Sequence, residues 1–260
     1  MSDWPDGARA ALSFSFDFDA EEVWIAEDPE NDLRPGVLSQ GRYGAKVGVP
    51  KVLELLASFE VHSTFFVPGR VAERYPDRVR EILAAGHEIG HHGYSHRSPA
   101  ALSAEEEDEE LTRGLAVLRD LGADVRGYRS PSWELSSRTL DLLDGHGFAY
   151  SSNLMDDVIP YRHEGGLVEV PVSWSLDDAP HMWFAGSSWE KTIVPNDHIK
   201  RLWMDEFEGI VQMGGACVFA MHPQFIGRPG RLALLVDMLE LSRRPDVWTA
   251  GVGEIANVTP

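Results

Sequence analysis

Short apolar runs of strand character alternate with segments of helical period along this whole chain, and that alternation restricts the fold more than any other feature. Residues 8–16, 61–67, 87–90, 125–130, 149–153, 167–174, 216–221 and 247–250 read as strands, rich in Val, Phe, Ile and Ala. Helical spacing predicts helices over 46–59, 76–85, 103–121, 136–147, 195–213 and 229–242. Ser103-Ala-Glu-Glu106 supplies a capping box for one of them, and Gly86 and Gly122 supply stops. Residues 20–44 follow neither period and are expected to form a long loop over one mouth of the fold. The stretch 175–195, with Asp177, Asp178, Trp183 and Trp189, also reads as irregular. No repeat or low-complexity linker interrupts the pattern. One α/β domain spanning residues 1–260 is predicted, its parallel sheet curved into a barrel.

In such barrels the groups that do chemistry stand where strands end. Asp17 and Asp19 close the first strand, in Phe16-Asp-Phe-Asp19. His92 and His96 follow the third, in His91-His-Gly-Tyr-Ser-His96. Arg129 ends the fourth, and His222 follows the run 216–221. If residues 92–96 turn helically, their two imidazoles share a face and can grip one ion. With Asp19 they make a two-histidine, one-carboxylate set with open positions. That set suits Zn²⁺, with Fe²⁺, Co²⁺ or Mn²⁺ as alternatives.

A metal of this kind can lower the pKa of water from 15.7 to about 7. Asp17 is placed to accept a proton, Arg129 to pair with Asp17 and orient it, and His222 as imidazolium to protonate a departing nitrogen. Together these describe hydrolysis of an amide. Trp133, Trp183 and Asp178 are the candidate substrate contacts.

The same residues in the same order resemble the polysaccharide deacetylase family. The resemblance rests on Phe-Asp17-Phe-Asp19, Gly86-His-Glu-Ile-Gly-His-His92, His92-Gly-Tyr-Ser-His96, Arg129-Ser-Pro-Ser-Trp133 and Met-His222-Pro, and it covers nearly the entire chain. It implies a distorted (β/α) barrel and metal-dependent removal of an acyl group from nitrogen. It also implies Asp17 as base, Asp19, His92 and His96 as ligands, and His222 as acid. Two features depart from the family's commoner form. Phe18 separates the two aspartates, and the Asp–Trp motif of the site wall is represented by Trp174 with Asp177 or Asp178. The branch that looks most similar is the one of peptidoglycan deacetylase-like, allantoinase-like and cyclic-imide-opening proteins, which implies a homo-oligomer, with a tetramer suspected.

Composition limits the partners. Lys and Arg number 23 against 42 Asp and Glu, a formal net charge of −19. Such a field repels nucleic acid and anionic lipid surfaces. Cys217, the one cysteine, excludes an intramolecular disulfide and reads as a core residue. The first residues lack the basic and apolar regions of an export signal, so a cytoplasmic protein is expected. The acidic run 105–110 reads as a solvated helix face, and His62, His146, His163 and His198 as structural.

Three functions follow in order. The first is deacetylation of an N-acetylated amino sugar or an oligosaccharide of one. The second is ring opening of a cyclic imide or ureide at the same site. The third is a catalytically silent ligand-binding barrel.

Overall fold

The computed structural model describes residues 4–184 and 191–260, so Trp189 lies outside the described residues. Its sheet is built from β1 (Ala10–Asp17), β2 (Thr64–Val67), β3 (Glu88–His91), β4 (Gly127–Tyr128), β5 (Tyr150–Ser151), β6 (Tyr161–Arg162), β7 (Val168–Glu169), β8 (Ala216–Met221) and β9 (Val247–Thr249). The order is β6-β7-β5-β4-β3-β2-β1-β8, with β9 also on β1. Every pairing is parallel except β6 with β7.

β1, the longest strand, lies between β2 and β8. It pairs with β8 from Ala11 to Phe16 and with β2 from Ser15 to Asp17. The far edge of β8 is met by irregular chain instead of a strand. The Asp178 amide donates to the Ala220 carbonyl at 3.1 Å, and the Ala216 amide to Val158 at 2.8 Å. The sheet therefore curls into a distorted barrel whose seam, between the end strands β6 and β8, is closed by loops.

Period-two alternation sorts the side chains. Leu12, Phe14 and Phe16 of β1, Phe65 and Val67 of β2, and Cys217, Phe219 and Met221 of β8 enter the cluster under the surrounding helices. Phe66, Val218 and Ala220 point the other way, into a second cluster. On β1 that inner face carries Ser13, Ser15 and Asp17, all buried. The barrel interior beside β1 is thus narrow and polar, and this brings Asp17 toward Arg129.

Several expected elements shift. Residues 20–44 are not a loop. They form helices Glu22–Glu27, Pro29–Leu33 and Pro35–Tyr43, and the last runs through a wide turn, Gly44–Gly48, into Val49–Phe59. Their spacing hides this because tertiary contact holds them. A Cβ on Gly41 would stand 2.4 Å from the Ala20 carbonyl oxygen, and one on Gly48 would stand 2.1 Å from that of Pro223. The helix Val252–Val258 and the short strand β6 were not expected either. Among the described residues no helix is long and apolar enough to cross a membrane.

Candidate active site

Asp17 is the last residue of β1, and Asp19 lies two residues beyond it. His92 directly follows β3, Arg129 follows β4 and His222 follows β8. All five stand at the same end of the barrel, as the strand ends predict, and all are buried.

The two histidines converge, but not on a helix. Residues 92–98 are irregular, and Gly93 (φ 70°) and His96 (φ 59°) both adopt left-handed backbone. That turn brings His96 back toward His92, with ring centroids 5.0 Å apart. Glu110 anchors the loop. Its carboxylate accepts from the amides of Tyr94 (2.8 Å) and Ser95 (2.7 Å) and from the Ser95 hydroxyl (2.6 Å). Glu110 and Glu107 are both buried, so the acidic run is not a uniformly solvated face. Glu107 accepts from Ser136 and Thr139. A spacing of three places these two carboxylates on the inward side of the helix Ala104–Asp120, beside Leu111 and Gly114. That inward position was the available signal.

Asp19 Oδ1 lies 3.4 Å from His92 Nε2 and 3.5 Å from His96 Nε2. It is buried and, among the described residues, accepts no hydrogen bond. Burial drives the Asp19 carboxyl well above its usual range; His222 opposes this and Asp17 adds to it. His92 Nδ1 meets the Arg129 carbonyl at 2.7 Å, which places the proton on Nδ1 and leaves Nε2 free as a ligand. Burial lowers His92 to about 4 and puts His96 well below its usual value, so both rings are neutral. An orphaned buried oxygen facing two neutral imidazole nitrogens lacks a cation, so the donor set fits a divalent metal. The trio Asp177, Asp178 and His222 also lies close enough to chelate. There, however, a 2.6 Å hydrogen bond from His222 Nδ1 to Asp178 accounts for the proximity.

Asp17 and His222 flank the metal set. Arg129, fully buried, donates from Nη1 to Asp17 Oδ1 at 2.9 Å and to Ser15 Oγ at 2.8 Å, with its guanidinium 4.2 Å from the Phe66 ring centre. Burial raises the Asp17 carboxyl, but the charge of Arg129, followed by that of His222, outweighs it and holds Asp17 below its usual value. His222 Nε2 lies 3.5 Å from Asp19 Oδ2. Burial alone would lower the His222 pKa; Asp178 and Asp177 raise it well above 6.5, which favours imidazolium.

These groups form the floor of a cavity of about 210 Å³. Ser132, Trp133, Trp174, Asp177, Trp183 and Lys191 are among its walls. Trp133 and Trp183 both reach it. Asp178 does not. Its Oδ1 is engaged by the His222 ring, and its Oδ2 by the amides of His222 and Ile226 at 3.0 and 3.1 Å. The adjacent Asp177 faces the cavity instead, while its Oδ1 accepts from the Ala179 amide. Two consecutive acids on irregular chain give no periodicity by which the sequence could have separated them.

Comparison with known proteins identifies the family. A family model described as polysaccharide deacetylase covers residues 42–151. A Helicobacter pylori peptidoglycan deacetylase is 31% identical, over 95% of this chain and 94% of its own length. A solved structure from Mycobacterium smegmatis, assigned as a polysaccharide deacetylase, superposes with a TM-score of 0.93 at 42% identity, over 98% of this chain and 91% of that one. An allantoinase structure shares the fold, with a TM-score of 0.85 at 24% identity over 99% of this chain and 92% of that one. On that identity, sustained along nearly the whole of both chains, this protein belongs to the polysaccharide deacetylase family.

Proposed function

We propose that this protein is a metal-dependent N-deacetylase of acetylated amino sugars. One observation carries the reading. The buried Oδ1 of Asp19 has no donor among the described residues, faces two neutral imidazole nitrogens, and stands between an ionised carboxylate and a charged histidine. The peptidoglycan deacetylase from Helicobacter pylori supports the choice of an acetylated sugar as substrate. One continuous sheet supports treating the whole chain as one catalytic domain.

Asp19, His92 and His96 would hold the metal. Zinc is favoured by the donor types, and iron, cobalt or manganese suits the same set. When bound, the ion would supply Lewis acidity and a more acidic water. Asp17, oriented by Arg129, accepts a proton from the attacking water as its oxygen bonds to the acyl carbon. The carbon–nitrogen bond then breaks, and His222, held by Asp178, delivers its proton to the leaving nitrogen. Acetic acid and a free amine result; the acid ionises to acetate, and the proton now on Asp17 returns through solvent to the neutral His222 to reset the pair.

The test uses protein loaded with zinc and freed of excess metal. It should carry one ion per chain and release acetate from N-acetylglucosamine oligomers, and a chelator should abolish both. Ring opening of hydantoin or succinimide with no acetate from any sugar would replace this function with a cyclic amidohydrolase.

A further inference from the structure

The cavity above the site is small, and among the described residues its indole walls are packed against two different clusters. Clefts that hold drug-sized ligands measure roughly 300–1,000 Å³; this one measures about 210 Å³. Trp133 follows two left-handed turns, Ser132 (φ 60°) and its own (φ 55°), a costly backbone that turns its ring onto Trp174 at 4.4 Å. That wall is anchored in the barrel-interior cluster with Phe66 and Val170. Trp183 is anchored elsewhere, against the cluster under the helices. It stacks on Phe225 at 6.1 Å and meets the edge of Trp24 at 5.9 Å. Val23, Ala179 and Pro180 complete the lining.

A unit inside a polymer has neighbours leaving in two directions and needs a groove open at both ends. Here separately anchored indoles, with apolar side chains between them, bound a space over the carboxylates and imidazoles that is too small for a second ring. We infer that the pocket admits one N-acylated ring at a time, free or at the end of a chain, and excludes a unit flanked on both sides. The inference rests on the deacetylase reading for its chemistry, and on the cavity alone for its size.

The experiment takes the zinc-loaded protein through the N-acetylglucosamine series from monomer to hexamer. It measures acetate release, the position of the freed amine by mass spectrometry, and affinity by calorimetry. One acetyl group per oligomer is expected, lost from a terminal unit, with affinity changing less than about threefold along the series. Several acetyl groups lost from internal units would overturn the inference. So would affinity rising about tenfold with each added unit, because every such step marks another occupied subsite. Sugars that bind with flat affinity but release no acetate would end the deacetylase reading and leave the one-ring pocket standing. No binding at any length would overturn the inference. Trp183→Ala, which opens one wall, should raise turnover of the hexamer relative to the monomer. If that variant fails to fold, the affinity series on the native chain decides alone.

Discussion

Asp17 and Asp19 are two residues apart, yet their surroundings push them in opposite directions. Asp17 has a guanidinium at 2.9 Å and stays ionised; Asp19 has two neutral imidazoles, the His222 ring at 3.5 Å and the Gln224 amide at 3.4 Å, and burial outweighs the His222 charge and drives its carboxyl up. One is therefore suited to take a proton and the other to hold a cation. Asp17→Asn keeps the shape and removes the base. It should lower kcat by about 10²–10⁴-fold while the protein still binds one zinc per chain. Asp19→Asn should lose the zinc itself. Elemental analysis beside a rate assay separates the two variants, and loss of metal from Asp17→Asn would contradict this division of labour. The sequence offered both acids as candidates for these tasks, because two carboxylates at a strand end have few structural uses. It could not show that Asp177 rather than Asp178 reaches the cavity, since that depends on where irregular chain crosses β8.

Among the elements, the long strands β1 and β8 were the most legible, because each buries both faces and so reads as an apolar run. The run 216–221 coincides with β8, and 10–17 lies within one or two residues of its expected bounds. The helices between residues 22 and 43 were illegible because a small buried face and close-packed glycines hold them, not a long apolar stripe. The site followed the same rule. Strand ends announced Asp17, His92, Arg129 and His222, whereas the loop that returns His96 depends on a carboxylate from a distant helix.

Glu110 gives that dependence a test. Glu110→Ala frees the amides of Tyr94 and Ser95 and loosens the turn that carries His96. Metal affinity should fall about 10–100-fold, as when outer partners of ligands are removed, with secondary structure unchanged by circular dichroism. Glu107→Ala, one turn earlier on the same helix face, leaves the Ser136 and Thr139 hydroxyls without their acceptor. It should cost about 1–3 kcal/mol of stability with little change in metal affinity. Equal effects on metal binding from both variants would show that the helix acts only through general stability.

Over the molecule as a whole, the two ends of the barrel use buried polar groups differently. At the catalytic end Asp19 Oδ1 has no hydrogen-bond partner among the described residues; at the opposite end both oxygens of the Glu88 carboxylate are engaged. Glu88 accepts from Thr64 (2.6 Å), Tyr150 (2.9 Å) and the Gly253 amide (3.0 Å), closing the floor of the barrel. Beside it, His87 Nδ1 accepts the Ser63 amide at 3.2 Å, so the ring is neutral there. Burial, with His62 adding to it, lowers the His87 pKa from 6.5 to about 4. The unfolded chain therefore binds this proton more readily than the folded one. The stability that His87 contributes is complete above pH 6.5 and is lost as pH falls toward 4, up to about 3 kcal/mol in all. Urea unfolding of the native chain and of His87→Asn, which retains an acceptor for the Ser63 amide, isolates this term, because the carboxylates common to both cancel in the difference. The native protein's stability relative to the variant should decline steadily between pH 6.5 and 4. A difference that stays constant across that window would mean that the ring is already charged in the fold, and that this end of the barrel is wetter than its packing implies.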